Sequence, residues 1–282
     1  MKKIITLILS LVMVCSIGLF ATSCGCKGNT SKMVNVRTKN ITVGYTIFAP
    51  MNYTENKVFK GFDTELALMV FNALGYEVNF KEIVWENKYL DLNTGTIDCI
   101  WNGFTSNSTD KNANGEDIAR SESVDFSYNY MINEQCIVRG KNSTNVTDVS
   151  GFANKLIAFE SGSAGESFVD STIISKGNVT IAKREKSTQM EALSAVEMGA
   201  SDYAIVDKSL AESVIASGNY TNVAINEGIE IPIEYYAIGF KKGSTLTAQV
   251  NVMLDAFAKT GQLMELAKKY KLENRIITNF GV

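Results

Sequence analysis

Asp98-Cys99-Ile100-Trp101-Asn102-Gly103-Phe104-Thr105, then a polar loop, then Ala119-Arg120-Ser121-Glu122-Ser123-Val124-Asp125-Phe126 is the stretch on which the reading of this chain turns. Its first half is an apolar run ending in the turn-forming pair Asn102-Gly103, the pattern of a buried strand that stops at a loop. Thr105 then offers a hydroxyl and a backbone N–H. Arg120 stands across a loop rich in Gly, Asn and Asp, just before a second apolar patch at Val124 and Phe126. A guanidinium near such donors can hold a carboxylate by two parallel hydrogen bonds, a geometry that lysine does not copy. The same pattern also fits a solvated arginine on a surface loop.

Outward from this stretch the chain alternates strands and helices. Residues 41–47 alternate and run into Phe48-Ala49-Pro50, a strand entering a loop. Asp63 is a good N-cap for a helix with Leu66, Met69, Val70, Ala73 and Leu74 on one face, and Gly75 closes it. Val78-Asn79-Phe80 makes a second strand, a polar turn carries Trp85, and a short helix ends at Gly95. Farther on, Lys155 to Phe159 reads as a strand and Ser161 to Glu166 as a turn opening a helix. Another helix runs from Ser187 to Gly199, and Tyr203 to Val206 is again a strand. Gly95-x-x-Asp98 and Gly199-x-x-Asp202 both end a helix and start an apolar strand, which points to two similarly built lobes.

Strand–helix–strand alternation with strands buried on both faces predicts an α/β protein, each lobe a mostly parallel sheet flanked by helices. Cys136-Ile137-Val138 would carry the chain from the first lobe to the second, and Glu230 to Glu234 would carry it back. Two closing helices, one with Leu246, Val250, Leu254 and Phe257, the other with Leu263, Leu266, Ala267 and Tyr270, would pack on the first lobe. The predicted division is therefore 40–135 and 234–282 for lobe 1 and 136–233 for lobe 2. Two strand-like crossings make a hinge, and small ligands sit in such clefts.

In open α/β sheets ligands lie beyond the carboxyl ends of the strands. That rule selects Phe48, Gly103, Thr105, Ser163 and Asp207. Asp207 would complement Arg120, one anion for an ammonium and one cation for a carboxylate; it would equally serve as the N-cap of a helix starting near Ser209. Ser163 and its neighbouring amides open a helix, where N–H groups favour an anion. Glu160, at the end of the lobe 2 strand, could accept from an amide or an ammonium.

Composition narrows the function. The 282 residues are 45% hydrophobic, enough for a large core, and 20% charged with net charge −3, so there is no nucleic-acid footprint. There is no histidine, which removes the commonest general base and metal ligand, and no metal or cofactor site is expected. At the N-terminus, Lys2 and Lys3 precede an apolar run from Ile4 to Phe20 and then Ala21-Thr22-Ser23-Cys24. This is the layout of a signal peptide over 1–23, followed by a polar tether over 24–39. Cys99 and Cys136 lie in apolar strand patterns, where a buried free thiol is the default and a disulfide is not expected.

Gly103-Phe104-Thr105, then Arg120 and Val124-Asp125-Phe126-Ser127, resembles the signature of family 3 extracellular solute-binding proteins, the amino-acid receptors of bacterial ABC importers. The resemblance covers roughly residues 41–275. It implies a two-lobed, type II periplasmic-binding-protein-like fold joined by two hinge strands, acting as a monomer without cofactors and delivering an amino acid to an ABC permease. Arg120 and Thr105 would bind the α-carboxylate and Asp207 the α-amino group, while Phe48 and Trp85 match the aromatic positions that sandwich the ligand side chain in relatives. The loop over 106–119 is longer than the family's and is expected to be a surface excursion. Cys24 resembles the lipobox cysteine, which would be diacylated and hold the protein on the extracytoplasmic face of the cell membrane; an ordinary secretory signal and a lipobox at Cys26 are the alternatives. Basic-amino-acid binders often carry an acid in the loop after the first strand, but Thr46 and Ile47 stand there. The expected ligand is thus a polar or uncharged L-amino acid, a disulfide-linked one such as cystine included. The protein is not expected to be an enzyme; a dehydratase-like enzyme on the same fold and an extracellular amino-acid sensor are the competing readings.

Overall fold

A computed structural model describes residues 39–281. The signal peptide over 1–23, Cys24 and the tether lie outside the described residues, apart from Lys39, which already opens the first strand.

Two sheets organise the described chain. In the first, strands run in the order Tyr76–Glu82, Lys39–Tyr45, Cys99–Ile100, Gly239–Phe240, Asp125–Phe126. Lys39–Tyr45 is parallel to both of its neighbours, with Val43 opposite Phe80 on one side and Cys99 on the other. In the second, the order is Ala182–Lys186, Leu156–Glu160, Tyr203–Asp207, Met131–Gly140, Val223–Ile225. Each sheet is mixed rather than mostly parallel. Its βαβ core pairs in parallel, but Gly239–Phe240 and Met131–Gly140 pair antiparallel with their neighbours. The reason lies in the connections: parallel neighbours need a helical crossover, whereas these strands belong to segments that pass directly between the lobes.

Met131–Gly140 is the longer of the two crossing strands. Its first half pairs with Ile233–Tyr236, with Met131 opposite Tyr236. Its second half joins the second sheet, with Gln135 opposite Asp207 and Arg139 opposite Tyr203. Both crossings are thus stitched to each other beside the carboxyl end of Tyr203–Asp207.

Helix Phe62–Ala73 buries Phe62, Leu66 and Val70, which join Ile41 and Val43 of the first sheet and Val250, Leu254, Leu263 and Leu266 of the two closing helices in one apolar cluster. Each such side chain contributes roughly 1.5–3 kcal/mol on burial. Ile137, Ile157, Phe159, Tyr203 and Ile205 form a second cluster on the other sheet. Cys99 and Cys136 are buried free thiols in different sheets, and burial pushes Cys136 up to about 12. No helix of the described residues is long and apolar enough to cross a membrane.

The repeated Gly-x-x-Asp corner is real in three dimensions. Asp98 Oδ2 accepts the Thr42 N–H at 2.7 Å while the Asp98 N–H donates to the Thr42 carbonyl at 2.8 Å. Asp202 does the same to Leu156, at 2.8 Å and 2.9 Å. One expected cap is not a cap: the helix begins with Gly61 in the N-cap position, and Asp63 is turned inward with no exposure. Its carboxylate is taken by the site described next.

Candidate functional site

The strand Cys99–Ile100 ends in the turn Asn102-Gly103, and the turn is held from three sides. Asp63 Oδ2 accepts the Gly103 N–H at 2.7 Å and Oδ1 accepts the Tyr130 hydroxyl at 2.8 Å. Burial raises Asp63 to about 7 against the pull of these bonds. Asn102 donates to the Thr46 carbonyl at 2.9 Å and to Asn52 Oδ1 at 2.7 Å, and accepts the Thr46 hydroxyl at 2.6 Å. Gly103 has φ +57°, and a Cβ there would lie 2.6 Å from Phe48 Cε1 and 3.1 Å from Tyr236 Cε2. Only glycine gives both that backbone and that close approach.

Past the turn, the Thr105 hydroxyl donates to Glu234 Oε2 at 3.2 Å, which ties lobe 1 to the returning crossing strand. The Thr105 carbonyl accepts from Arg120 Nη1 at 3.2 Å. Arg120, 1% exposed, also donates from Nε to Asp110 Oδ1 at 3.0 Å and from Nη2 to the Gly162 carbonyl at 3.2 Å. That carbonyl is on the other lobe and receives Lys88 Nζ as well, at 3.0 Å. Lys88 is 2% exposed and lies 5.3 Å and 4.7 Å from the ring centres of Trp85 and Tyr89. Burial, with Arg120 nearby, pulls it down to about 8 despite Asp110 and Glu160.

The second lobe brings carboxylates. Glu160 ends its strand buried, with Oε1 lacking a hydrogen-bond partner. Burial first and the neighbouring Asp207 second push it up to about 8. Ser163 caps the helix Ala164–Phe168, its Oγ accepting the Glu166 N–H at 3.2 Å. Asp207 occupies the N-cap position of helix Lys208–Ala216, yet its side chain does not cap it. Oδ1 instead accepts from Asn133 Nδ2 at 3.0 Å and Gln135 Nε2 at 2.6 Å, and Oδ2 from Gln189 Nε2 at 2.9 Å. Asn133 and Gln135 also donate to Glu234 Oε2. Burial and Asp207 raise Glu234 to about 7.

Part of this set faces a narrow interlobe cavity of about 10 Å³. Of the eight residues expected from the sequence, Arg120, Thr105, Asp207, Gly103, Ser163, Trp85 and Glu160 line it together. Phe48 does not. It is buried against the Gly103 turn, edge-on to Tyr236 with 6.5 Å between ring centres, because the turn needs a flat partner where glycine has no side chain. Five residues that sequence reasoning missed are Asn102 and Gln189 in the lining, Lys88 and Asp110 beside Arg120, and Glu234 on the crossing strand. Asn133 and Gln135 carried a readable signal, two polar residues at a spacing of two in an apolar strand; Lys88 carried none. The loop over 106–119 is a hairpin, Thr109–Lys111 against Asp117–Ala119, and it sends Asp110 inward rather than standing off the surface. A second cavity of about 580 Å³ opens on its outer side, walled by Lys88, Tyr89, Asp110, Glu166 and Ser167.

The model for bacterial extracellular solute-binding proteins, family 3, matches residues 41–273. The chain is 24% identical over 255 residues to the arginine-binding extracellular protein ArtP of Bacillus subtilis (strain 168), covering 88% of this chain and 91% of that one. It is 26% identical over 290 residues to the L-cystine-binding protein TcyA of the same organism, covering 96% and 97%. Among solved structures, an ABC uptake transporter substrate binding protein from Streptococcus pneumoniae with bound histidine superposes with a TM-score of 0.70 at 29% identity, over 82% of this chain and 92% of that one. An ancestral arginine-binding protein bound to arginine gives 0.71 at 24% identity, over 82% and 97%, a likeness of fold.

Proposed function

Since the chain belongs to the bacterial extracellular solute-binding proteins of family 3, we propose that it is a receptor that closes its two lobes on a polar L-amino acid and delivers it to an ABC permease. Arg120 and Thr105 take the α-carboxylate, with the Ser163 amide from the opposite lobe. Asp207 takes the α-ammonium, and Trp85 and Glu160 face the side chain. The single observation that carries the reading is that a buried guanidinium from one lobe and a buried carboxylate from the other line the same cavity. A zwitterion supplies the two opposite charges that such a pair can grip. Attachment to the outer face of the membrane through a diacylated Cys24, action as a monomer, and the lobe limits 40–135 with 234–282 and 136–233 complete the proposal.

A thermal-shift panel of L-amino acids, sugars and divalent metals tests it. A rise in melting temperature with one or a few amino acids is the expected result, and stabilisation only by sugars or metals overturns it. The enzyme reading draws on one observation, the raised Glu160, which could act as a proton donor at neutral pH. Mass spectrometry of the bound amino acid after incubation separates the two: an unchanged ligand is expected of a receptor, a dehydrated one of an enzyme.

A further inference from the structure

The hairpin over 106–119 places a carboxylate on the guanidinium that the receptor reading assigns to the ligand. Asp110 Oδ1 stands 3.0 Å from both Nε and Nη2 of Arg120. Oδ2 accepts the Tyr89 hydroxyl and lies 3.6 Å from Lys88 Nζ. The hairpin is fixed at both ends of this contact: the Arg120 N–H donates to the Ser108 carbonyl at 3.1 Å, and Ser167 on the other lobe donates to the Thr109 carbonyl at 2.7 Å. Burial works against ionisation of Asp110, but Arg120 and Lys88 outweigh it and hold the carboxyl below its usual range.

Arg120, Glu160 and Asp207 line the inner cavity, with Lys88 and Asp110 packed beside Arg120 and Glu234 joined to Asp207 through Asn133 and Gln135, so two cations stand among four carboxyl groups. Buried charges need partners. Asp110 occupies Arg120 and shares Lys88, so no lobe 1 cation is left over for the lobe 2 carboxylates. Asp207 and Glu234 are satisfied by neutral amides, while Oε1 of Glu160, a residue of the cavity wall, has no donor among the described residues. A zwitterion with a neutral side chain brings one charge of each sign and leaves Glu160 without a partner. A ligand with a second positive group gives Glu160 a donor and favours the ionised form that burial disfavours.

We infer that Asp110 is a specificity-determining residue which, by occupying Arg120, sets the cleft to favour amino acids with a cationic side chain over neutral ones of the same shape. The inference rests on the amino-acid-receptor reading above. Calorimetric titration of the whole chain with two pairs tests it, L-arginine against L-citrulline and L-ornithine against L-glutamine. The expected result is that the cationic member of at least one pair binds about tenfold tighter, and that Asp110→Asn narrows that ratio by about fivefold. A hairpin brace without an electrostatic role would weaken both members equally, so an unchanged ratio overturns the inference. So does preference for the neutral member in both pairs. Should Asp110→Asn fail to fold, Glu160→Gln removes the opposite-lobe carboxyl group that a ligand cation would pair with and must collapse the same ratio; a ratio that persists is again a refutation. Amino-acid binding with the wrong ratio defeats this inference alone, whereas no binding of any amino acid defeats the receptor reading with it.

Discussion

The corners at Asp98 and Asp202 are built alike, yet the strands that leave them end in opposite chemistry. In each, a helix closes on a glycine and an aspartate clamps the backbone of the neighbouring strand through a paired N–H and C=O contact. From Asp98 the strand runs into the Asn102-Gly103 turn and onward to Arg120, a cation. From Asp202 it runs straight into Asp207, an anion, at the head of a helix. The supports differ accordingly. The lobe 1 turn is held by a buried carboxylate, Asp63, acting on a backbone N–H; the lobe 2 carboxylate is held by the side-chain amides of Asn133, Gln135 and Gln189. A shared scaffold fixes where the strand ends lie, and the residues just past those ends decide which charge is offered there.

The sharpest way to break this division of labour is Arg120→Ala. It removes one of the two lobe 1 cations and leaves the half-buried Asp110 with Lys88 alone. Truncating one partner of a buried ion pair costs about 3–5 kcal/mol, so amino-acid affinity should fall by a factor of about a hundred or more while circular dichroism stays native. Retained affinity would mean that the carboxylate end of the ligand is held elsewhere.

Gly103→Ala against Gly199→Ala compares the two lobes at the level of backbone. Both glycines have positive φ, but a Cβ at Gly103 would meet the Phe48 ring at 2.6 Å, while one at Gly199 would meet nothing within 4 Å. Strain alone costs about 1 kcal/mol at Gly199, and a clash raises that to about 2–3 kcal/mol at Gly103. Chemical denaturation of the two variants reads the difference directly. Equal costs would show that Phe48 moves aside freely and that the turn is not held as tightly as its hydrogen bonds indicate.

Much of this was legible in the sequence, and the limits have physical causes. The strand ends and the positions of Arg120 and Asp207 beside one cavity follow from periodicity, turn chemistry and a recognisable signature, because those signals are local. The Gly-x-x-Asp repeat could be read as two lobes for the same reason. Asp63 looked like a helix cap because aspartate near a helix start is one by default; its actual partner, Gly103, lies forty residues away. Lys88 and Asp110 were invisible since a lysine at a helix start and an aspartate in a polar loop are ordinary surface residues until tertiary structure buries them together. Phe48 was misplaced because strand-end position does not tell which side of a turn a ring will cover.

Titration separates the buried carboxyl groups from Lys88 by sign. Glu160, with a folded value of about 8 against 4.5 in the open chain, binds more protons folded than unfolded between those values, so stability falls as pH rises through that window. Asp63 and Glu234, each about 7 when folded, act in the same direction over the lower part of it. Lys88, lowered to about 8 from 10.5, binds fewer protons folded than unfolded above pH 8, so its contribution recovers from there upward. Ligand-free protein should therefore pass through a minimum of stability near pH 8. Glu160→Gln should raise stability there by on the order of 1–2 kcal/mol relative to pH 5. A flat profile in both proteins would mean that the lobe 2 carboxylate is already paired.

The smallest effect probes what the lobes share. Asp98→Asn and Asp202→Asn each keep the side chain's size and one acceptor oxygen but remove the charge that receives the Thr42 or Leu156 N–H. Both bonds lie at exposed positions, where water can replace the lost acceptor strength, so each substitution should cost only about 0.5–1 kcal/mol. The value of the measurement lies in the equality of the two numbers. Matching costs, additive in the double variant as expected for sites far apart, would mark the corners as one structural solution used twice and leave the charge difference to the residues beyond them. A cost confined to Asp98 would instead couple that corner to the Asn102-Gly103 turn two residues past its strand, and the lobe 1 site would then be held by its corner as well as by Asp63.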